Sequence, residues 1–216
     1  MAEEYQSAEP FLPSQGGIAA LRKAAGSCRG CALHRDATQT VFGDGPAEAR
    51  TVFVGEQPGD REDREGRPFV GPAGGLLDRA LEEAGIDRDD AYLTNVVKHF
   101  KYTYRGNRRM HGKPGSSETK ACWPWFAAEL RAVRPELVVC LGATAAQTLL
   151  GKSFRVTADR GALLDFPPDL DIGGGPRPRY VLTTVHPSAV LRAGDDRDAA
   201  YRAFLDDLGA VAEAIE

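Results

Sequence analysis

Four short runs of almost unbroken hydrophobicity punctuate the chain: Thr51–Gly55 (TVFVG), Tyr92–Val97 (YLTNVV), Leu137–Gly142 (LVVCLG) and Tyr180–Val185 (YVLTTV). A strand with one wet face alternates polar and apolar residues, whereas a strand covered on both faces has no need to. These runs therefore read as a parallel sheet enclosed by helices. The intervening stretches supply those helices, near 17–27, 74–84, 118–133, 143–150 and 196–214, with Ser117 and Glu118 as the start signal of the third. Strand–helix alternation of this kind gives an α/β fold. The expectation is a three-layer αβα sandwich around a central, mainly parallel four-stranded sheet with right-handed crossovers. Such sheets hold ligands beyond the carboxyl ends of their strands. The segments that follow each run are where chemistry is expected.

Composition sets the bounds. With 216 residues, 42% of them apolar and 27% charged, the chain suits one globular domain with a substantial core. Residues 17–216 are expected to form it, behind a polar, acidic arm over residues 1–16 that reads as disordered. Pro167–Pro178 (PPDLDIGGGPRP) reads as a surface loop between strands. No apolar run is long enough to cross a bilayer, so no membrane partner is expected. The N-terminus lacks the features of a secretory signal, which makes the cytoplasm the expected compartment; a monomer is the default state. A net charge of −4 argues against nucleic-acid binding by the whole surface. It permits a local basic site, since screened contacts act over only about 8–10 Å.

In a reducing compartment Cys28, Cys31, Cys122 and Cys140 are not expected to pair as disulfides. Cys28-Arg-Gly-Cys31 is a C-x2-C pair that suits a metal ion, two corners of a cluster, a redox pair or two unrelated thiols. A zinc ribbon needs a second such pair or an H-x3-5-H, and the chain has neither. Further soft ligands must come from Cys122, Cys140, His34, His99 and His111. Cys140 lies inside the most hydrophobic run and reads as a core thiol. Composition alone leaves the fourth ligand open.

Gly55-Glu-Gln-Pro-Gly-Asp60 follows the first run and presents the Glu56 carboxylate at a turn. It is no P-loop, because no G-K-[ST] follows; Gly151-Lys152-Ser153 fails the same test for want of the first glycine and of a preceding strand. Asn95 puts an amide into an apolar strand, where it must find partners, and a nucleobase edge would supply them. Phe69 is placed to stack on a flat ligand, and His186-Pro-Ser188 follows the last run. Lys98–Lys113 (KHFKYTYRGNRRMHGK) carries Lys98, Lys101, Arg105, Arg108, Arg109 and Lys113 among Phe100, Tyr102 and Tyr104, with no acidic residue. Cations for phosphate and rings for stacking are what single-stranded or flipped nucleic acid requires.

Taken together, CRGCALHR, VGEQPGDREDREGRPFVGPAGGLLD, NVVKHFKY, the RRMH loop and TTVHPSAVLR resemble the family 4 uracil-DNA glycosylases, and more closely their UdgX branch. The likeness runs from Gly16 to the C-terminus. It implies a [4Fe–4S] cluster held by Cys28, Cys31, His99 and Cys122, with a histidine where the common pattern has a third cysteine. Imidazole ligation of this kind raises a cluster's potential. The resemblance also implies uracil-containing DNA as partner, with uracil as leaving group; single strands are expected to be preferred because they avoid most of the cost of unstacking the base. Phe69 would stack on the base, Asn95 would pair with its edge, and Gln57 and Asp60 would complete the pocket. His186 would stabilise the departing anion. His111, on Arg108-Arg-Met-His111, would capture the sugar C1′, with Glu56 taking its proton or orienting it and Arg109 holding loop and phosphate in register. Lys98, Lys101, Arg105, Arg108, Lys113, Ser188 and Arg192 would contact DNA, with Leu191 near the strand as a wedge. Two rival readings are a conventional multiple-turnover glycosylase and a non-catalytic iron–sulfur nucleic-acid-binding protein.

Overall fold

Strand β1 (Thr51–Gly55) is an inner strand of a five-stranded sheet in the computed structural model, which describes residues 7–215. In chain order the elements are α1 (Ile18–Ala25), β1, α2 (Asp60–Glu65), α3 (Pro72–Glu83), β2 (Ala91–Asn95), β3 (Tyr102–Arg105) and β4 (Arg108–His111). They continue with α4 (Ser116–Val133), β5 (Leu137–Leu141), α5 (Ala143–Leu150), α6 (Val156–Asp159), β6 (Leu163–Asp165), β7 (Tyr180–Thr184), α7 (Pro187–Leu191) and α8 (Arg197–Ile215). The sheet order is β2-β1-β5-β7-β6, parallel except for β6.

All four apolar runs form strands, and β1, β2 and β5 are buried throughout. Side chains alternate between two cores, as the two-residue period requires. Val52, Val54, Tyr92, Val138, Cys140 and Val181 pack with Trp125, Phe126 and Leu130 of α4 on one face. Phe53, Leu93, Val139, Leu141 and Leu182 pack with Leu77 and Leu81 of α3 and Phe204 and Leu208 of α8 on the other. The sheet has five strands where four were expected. β6 is only three residues long, largely exposed and antiparallel on the edge, so no hydrophobic run marks it. The Pro167–Pro178 segment lies between β6 and β7.

The expected disordered arm is corrected where it is described. Residues 1–6 lie outside the described residues, but Ala8 is buried and its N–H donates to the Ala121 carbonyl at 2.7 Å. Phe11 and Leu12 pack against the first core. This segment crosses the C-x2-C loop so closely that a Cβ on Gly30 would lie 2.7 Å from the Ala8 Cα, which makes glycine necessary there. Three apolar residues scattered among polar ones left no period to recognise. Among the described residues no helix is long and apolar enough to cross a membrane.

Parallel pairing aligns Gly55 with Asn95, and Leu141 with Thr184, at one end of the sheet. The turns after β1, β2, β5 and β7 therefore open on one side. The basic segment is not a loop but a hairpin, β3 against β4, turning at Gly106 and Asn107. It stands beside that opening.

Candidate active site

The strand ends enclose a cleft of about 850 Å³ lined by Glu56, Gln57, Asp60, Phe69, Asn95, His111, Lys113, Thr144, His186, Ser188, Leu191 and Arg192 among others. Gly55, just before the turn that lines the cleft, is fixed by close approach. A Cβ there would meet the Asn95 Oδ1 at 2.4 Å and the Phe69 Cζ at 2.9 Å. Asn95 is buried, and among the described residues nothing takes up its side-chain amide, so its donor and acceptor are available to a ligand. Phe69 is held at φ 55°, a left-handed conformation that costs a side-chain-bearing residue on the order of 1–3 kcal/mol. Its loop is stapled by the buried Glu62, whose carboxylate accepts from the Gly59 N–H at 3.0 Å and the Gly71 N–H at 2.7 Å.

His186 caps the N-terminus of α7. Its Nδ1 accepts the Ser188 N–H at 3.2 Å and lies 2.8 Å from the Ser188 hydroxyl. A backbone amide can only donate, so the neutral ring carries its proton on Nε2. Burial, aided by the neighbouring positive charge of His111 when protonated and of Arg192, lowers its pKa to about 4. It is thus a neutral hydrogen-bond donor, with Ser188 as its orienter.

His111 ends β4 and is half-exposed. Its Nε2 is 3.0 Å from the Gln57 amide nitrogen and 3.7 Å from the Glu56 carboxylate. Glu56 is itself held by the Thr144 hydroxyl. Burial lowers the His111 pKa against the opposing pull of Glu56. Gln57 locks the root of the hairpin: its amide donates to the Lys101 and Gly112 carbonyls, and its oxygen accepts the Lys101 N–H.

The structure corrects the assignment of Lys98 and shows where the other cations stand. Lys98 is fully buried, paired with Glu129 and bonded to the Asn95 carbonyl at 2.7 Å, so it has no access to DNA. Lys101 pairs with Glu118 at 2.7 Å. Arg109 is nearly buried; it reaches Asp60 at 2.5 Å and the buried Asp63 at 2.7 Å, over the rings of Phe100 and Tyr102. It clamps the hairpin to α2, and Asp60 serves that clamp at the rim of the cleft. Arg105 and Arg108 are exposed near the hairpin tip, while Lys113 and Arg192 border the cleft. Sequence reasoning missed Thr144, Glu62 and Asp63. In DREDRE nothing distinguishes a buried carboxylate from a solvated one.

On the far side of the hairpin Cys28, Cys31, Cys122 and His99 are all buried, as is Cys140 within β5. Cys28 Sγ receives the Trp125 indole N–H at 3.2 Å and the Gly30 N–H at 3.4 Å, and Cys122 Sγ receives the Lys98 N–H at 3.3 Å. Burial raises the thiol pKa of Cys31, and that of Cys122 to about 12; Cys28 adds to both. His99 Nε2 is held by the Thr40 hydroxyl at 3.0 Å, leaving Nδ1 buried without a hydrogen-bond partner. An orphaned imidazole nitrogen and three buried thiols are the kind of donors that suit a soft metal group, with the N–H groups on Cys28 and Cys122 as outer support. Among the described residues no three His, Cys, Asp or Glu side chains gather closely enough for a single ion. That spacing is no obstacle to a cluster, whose ligands bind separate irons.

Compared with known proteins, residues 42–209 match the Uracil DNA glycosylase superfamily. A type-4 uracil-DNA glycosylase of Thermotoga maritima is 41% identical over 166 residues, which cover 76% of this chain and 78% of that protein. Another, from Archaeoglobus fulgidus, is 44% identical over 121 residues, 56% of this chain and 57% of the relative. A DNA polymerase of Bacillus phage SP01 is 31% identical over 175 residues, but these are 17% of its length.

Proposed function

Since the chain belongs to the uracil DNA glycosylase superfamily, and within it to the type-4 glycosylases, we propose that it excises uracil from DNA and is then captured on the sugar through His111, as in the UdgX branch. The observation that carries the reading is the convergence of His111, Glu56, Asn95, Phe69 and His186 on one cleft.

The target base first leaves the stack, at a cost of a few kcal/mol that a single strand largely avoids. Phe69 covers its face, and Asn95 offers both a donor and an acceptor to its edge. As the C1′–N1 bond breaks, its electron pair passes to the uracil ring, and the neutral His186 donates Nε2–H to the anion so formed. The lone pair of a His111 ring nitrogen forms the new bond to C1′, and Glu56 accepts the proton that the imidazole sheds. An N-alkyl imidazole is a poor leaving group, so turnover stops at one. Arg105, Arg108, Lys113 and Arg192 meet the phosphates.

Cys28, Cys31, His99 and Cys122 would hold a [4Fe–4S] cluster, which when bound supplies a rigid link between the N-terminal segment, α4 and the base of the hairpin. Supporting this are the orphaned His99 Nδ1 and the N–H groups aimed at the sulfurs.

The test mixes cluster-loaded protein with uracil-containing single-stranded DNA and runs a denaturing gel. A shifted band that survives boiling, absent with thymine DNA and lost in His111→Ser with restored turnover, is expected. Free uracil without a shifted band would leave a conventional glycosylase and reject capture.

A further inference from the structure

Beyond the cleft, and sharing Lys113 and Thr144 with it, a groove of about 590 Å³ runs between α4 and α5. Lys113, Lys120 and Lys152 line it and are exposed, and among the described residues none of them makes an ion pair or side-chain hydrogen bond. Lys98, Lys101 and Arg109, by contrast, all have carboxylate partners. Asp171 is the single carboxylate on the groove lining, and its carbonyl fixes Trp123 by accepting the indole N–H at 3.1 Å. The remaining lining holds hydroxyls, an amide and aliphatic surface.

We infer that this groove is a subsite for the single DNA strand flanking the target nucleotide, with Lys113, Lys120 and Lys152 on its phosphates and a base against Trp123. The inference deepens the reading of the cleft as a uracil-excising site, and rests on it. Charge complementarity and continuity with the cleft both favour it. A cationic track beside an immobilised ring binds a strand whose bases are unstacked, whereas a duplex keeps its bases from such a ring. The groove thus offers a physical basis for a preference for single strands, because a strand leaving the cleft past Lys113 can lay its next nucleotides there.

Excision and affinity are compared for uracil oligonucleotides lengthened one nucleotide at a time on either side of uracil. Wild-type protein should gain affinity with length on one side, and the gain should vanish in Lys120→Ala/Lys152→Ala. Each lysine removed should flatten the salt dependence, log K against log salt losing about 0.7 of slope per phosphate contact on a single strand. Trp123→Ala should weaken binding of the longer strand about tenfold, the scale of one stacked base. Excision from the shortest processed substrate should be unchanged in both variants. Because Trp123 also packs on Phe126, the lysine pair decides the matter if the tryptophan variant fails to fold. Equal length and salt dependence in wild type and the lysine variant would overturn the groove, with excision intact. No excision of uracil by wild type from any length would instead overturn the reading of the cleft.

Discussion

At the scale of single residues, the chemistry rests on which nitrogen carries a proton and whether it is charged. Ser188 settles the first for His186, and burial settles the second by lowering its pKa to about 4. His186→Asn should slow uracil release by about 10²–10³, the usual loss for one donor to a developing anion, with little change in DNA affinity. Single-turnover rates across pH would check the charge state. They should stay level from neutrality down to pH of about 5, because the active form is the neutral ring. Stability carries the same signature. The folded-state pKa lies below the ordinary 6.5, so the unfolded chain binds more protons between that value and about 4. His186 thus contributes stability above pH 6.5 that is lost as pH falls through the folded value near 4, and His111, shifted the same way, adds to it. Thermal melts should drop across that window, and less steeply in His186→Asn. A bell-shaped rate profile with its acid limb near the ordinary histidine value would sink this assignment.

The element that sets this site apart is the β3–β4 hairpin, which is held at two points. Gln57 grips its root, and Arg109 forks between Asp60 and Asp63. Asp63 is fully buried, so Arg109→Ala leaves an unpaired charge, a loss of about 3–5 kcal/mol where such a pair is broken. Arg109→Lys should recover little, since an ammonium cannot span both carboxylates in the planar geometry of a guanidinium. Thermal melts would measure the loss, and if His111 captures the sugar as proposed, the yield of boiling-resistant adduct should fall with it. An adduct yield unchanged in a destabilised Arg109→Ala protein would mean that the clamp does not position His111. The hairpin also shows where sequence reasoning stops. The four buried strands, the helices after them and the residues at their carboxyl ends were legible because burial on both faces leaves continuous apolar runs. A run of cations carries no such record. Arg105 and Arg108 are exposed, whereas Lys98, Lys101 and Arg109 turn inward to Glu129, Glu118 and Asp63, acids distant in sequence or lying in an unpatterned acidic helix.

Across the whole molecule, one buried polar network ties these parts together. Glu129 on α4 accepts the Gly43 N–H and the Tyr92 and Thr94 hydroxyls, and is paired with Lys98. Lys98 in turn bonds the Thr94 hydroxyl and the Asn95 carbonyl through Nζ, and the Cys122 sulfur through its backbone N–H. The strand end that presents Asn95 to the cleft is therefore fixed from behind, by the helix that carries Cys122. With every donor and acceptor satisfied, such a network specifies one register of β2 against α4; half-satisfied, it is worse than an apolar core. Lys98→Met should accordingly cost about 3–5 kcal/mol by stranding Glu129, a fall in Tm on the order of 10 °C for a chain of this size. Lys98→Met/Glu129→Leu should regain most of that stability, because it strands no charge. It should not regain discrimination, since nothing then holds the Asn95 carbonyl. Measured as the ratio of single-turnover excision from uracil and from cytosine oligonucleotides, selectivity should stay depressed in the double variant while Tm recovers. Recovery of both together would reduce the network to a stabilising core device, and recovery of neither would mean that the pair is needed for the packing of α4 itself.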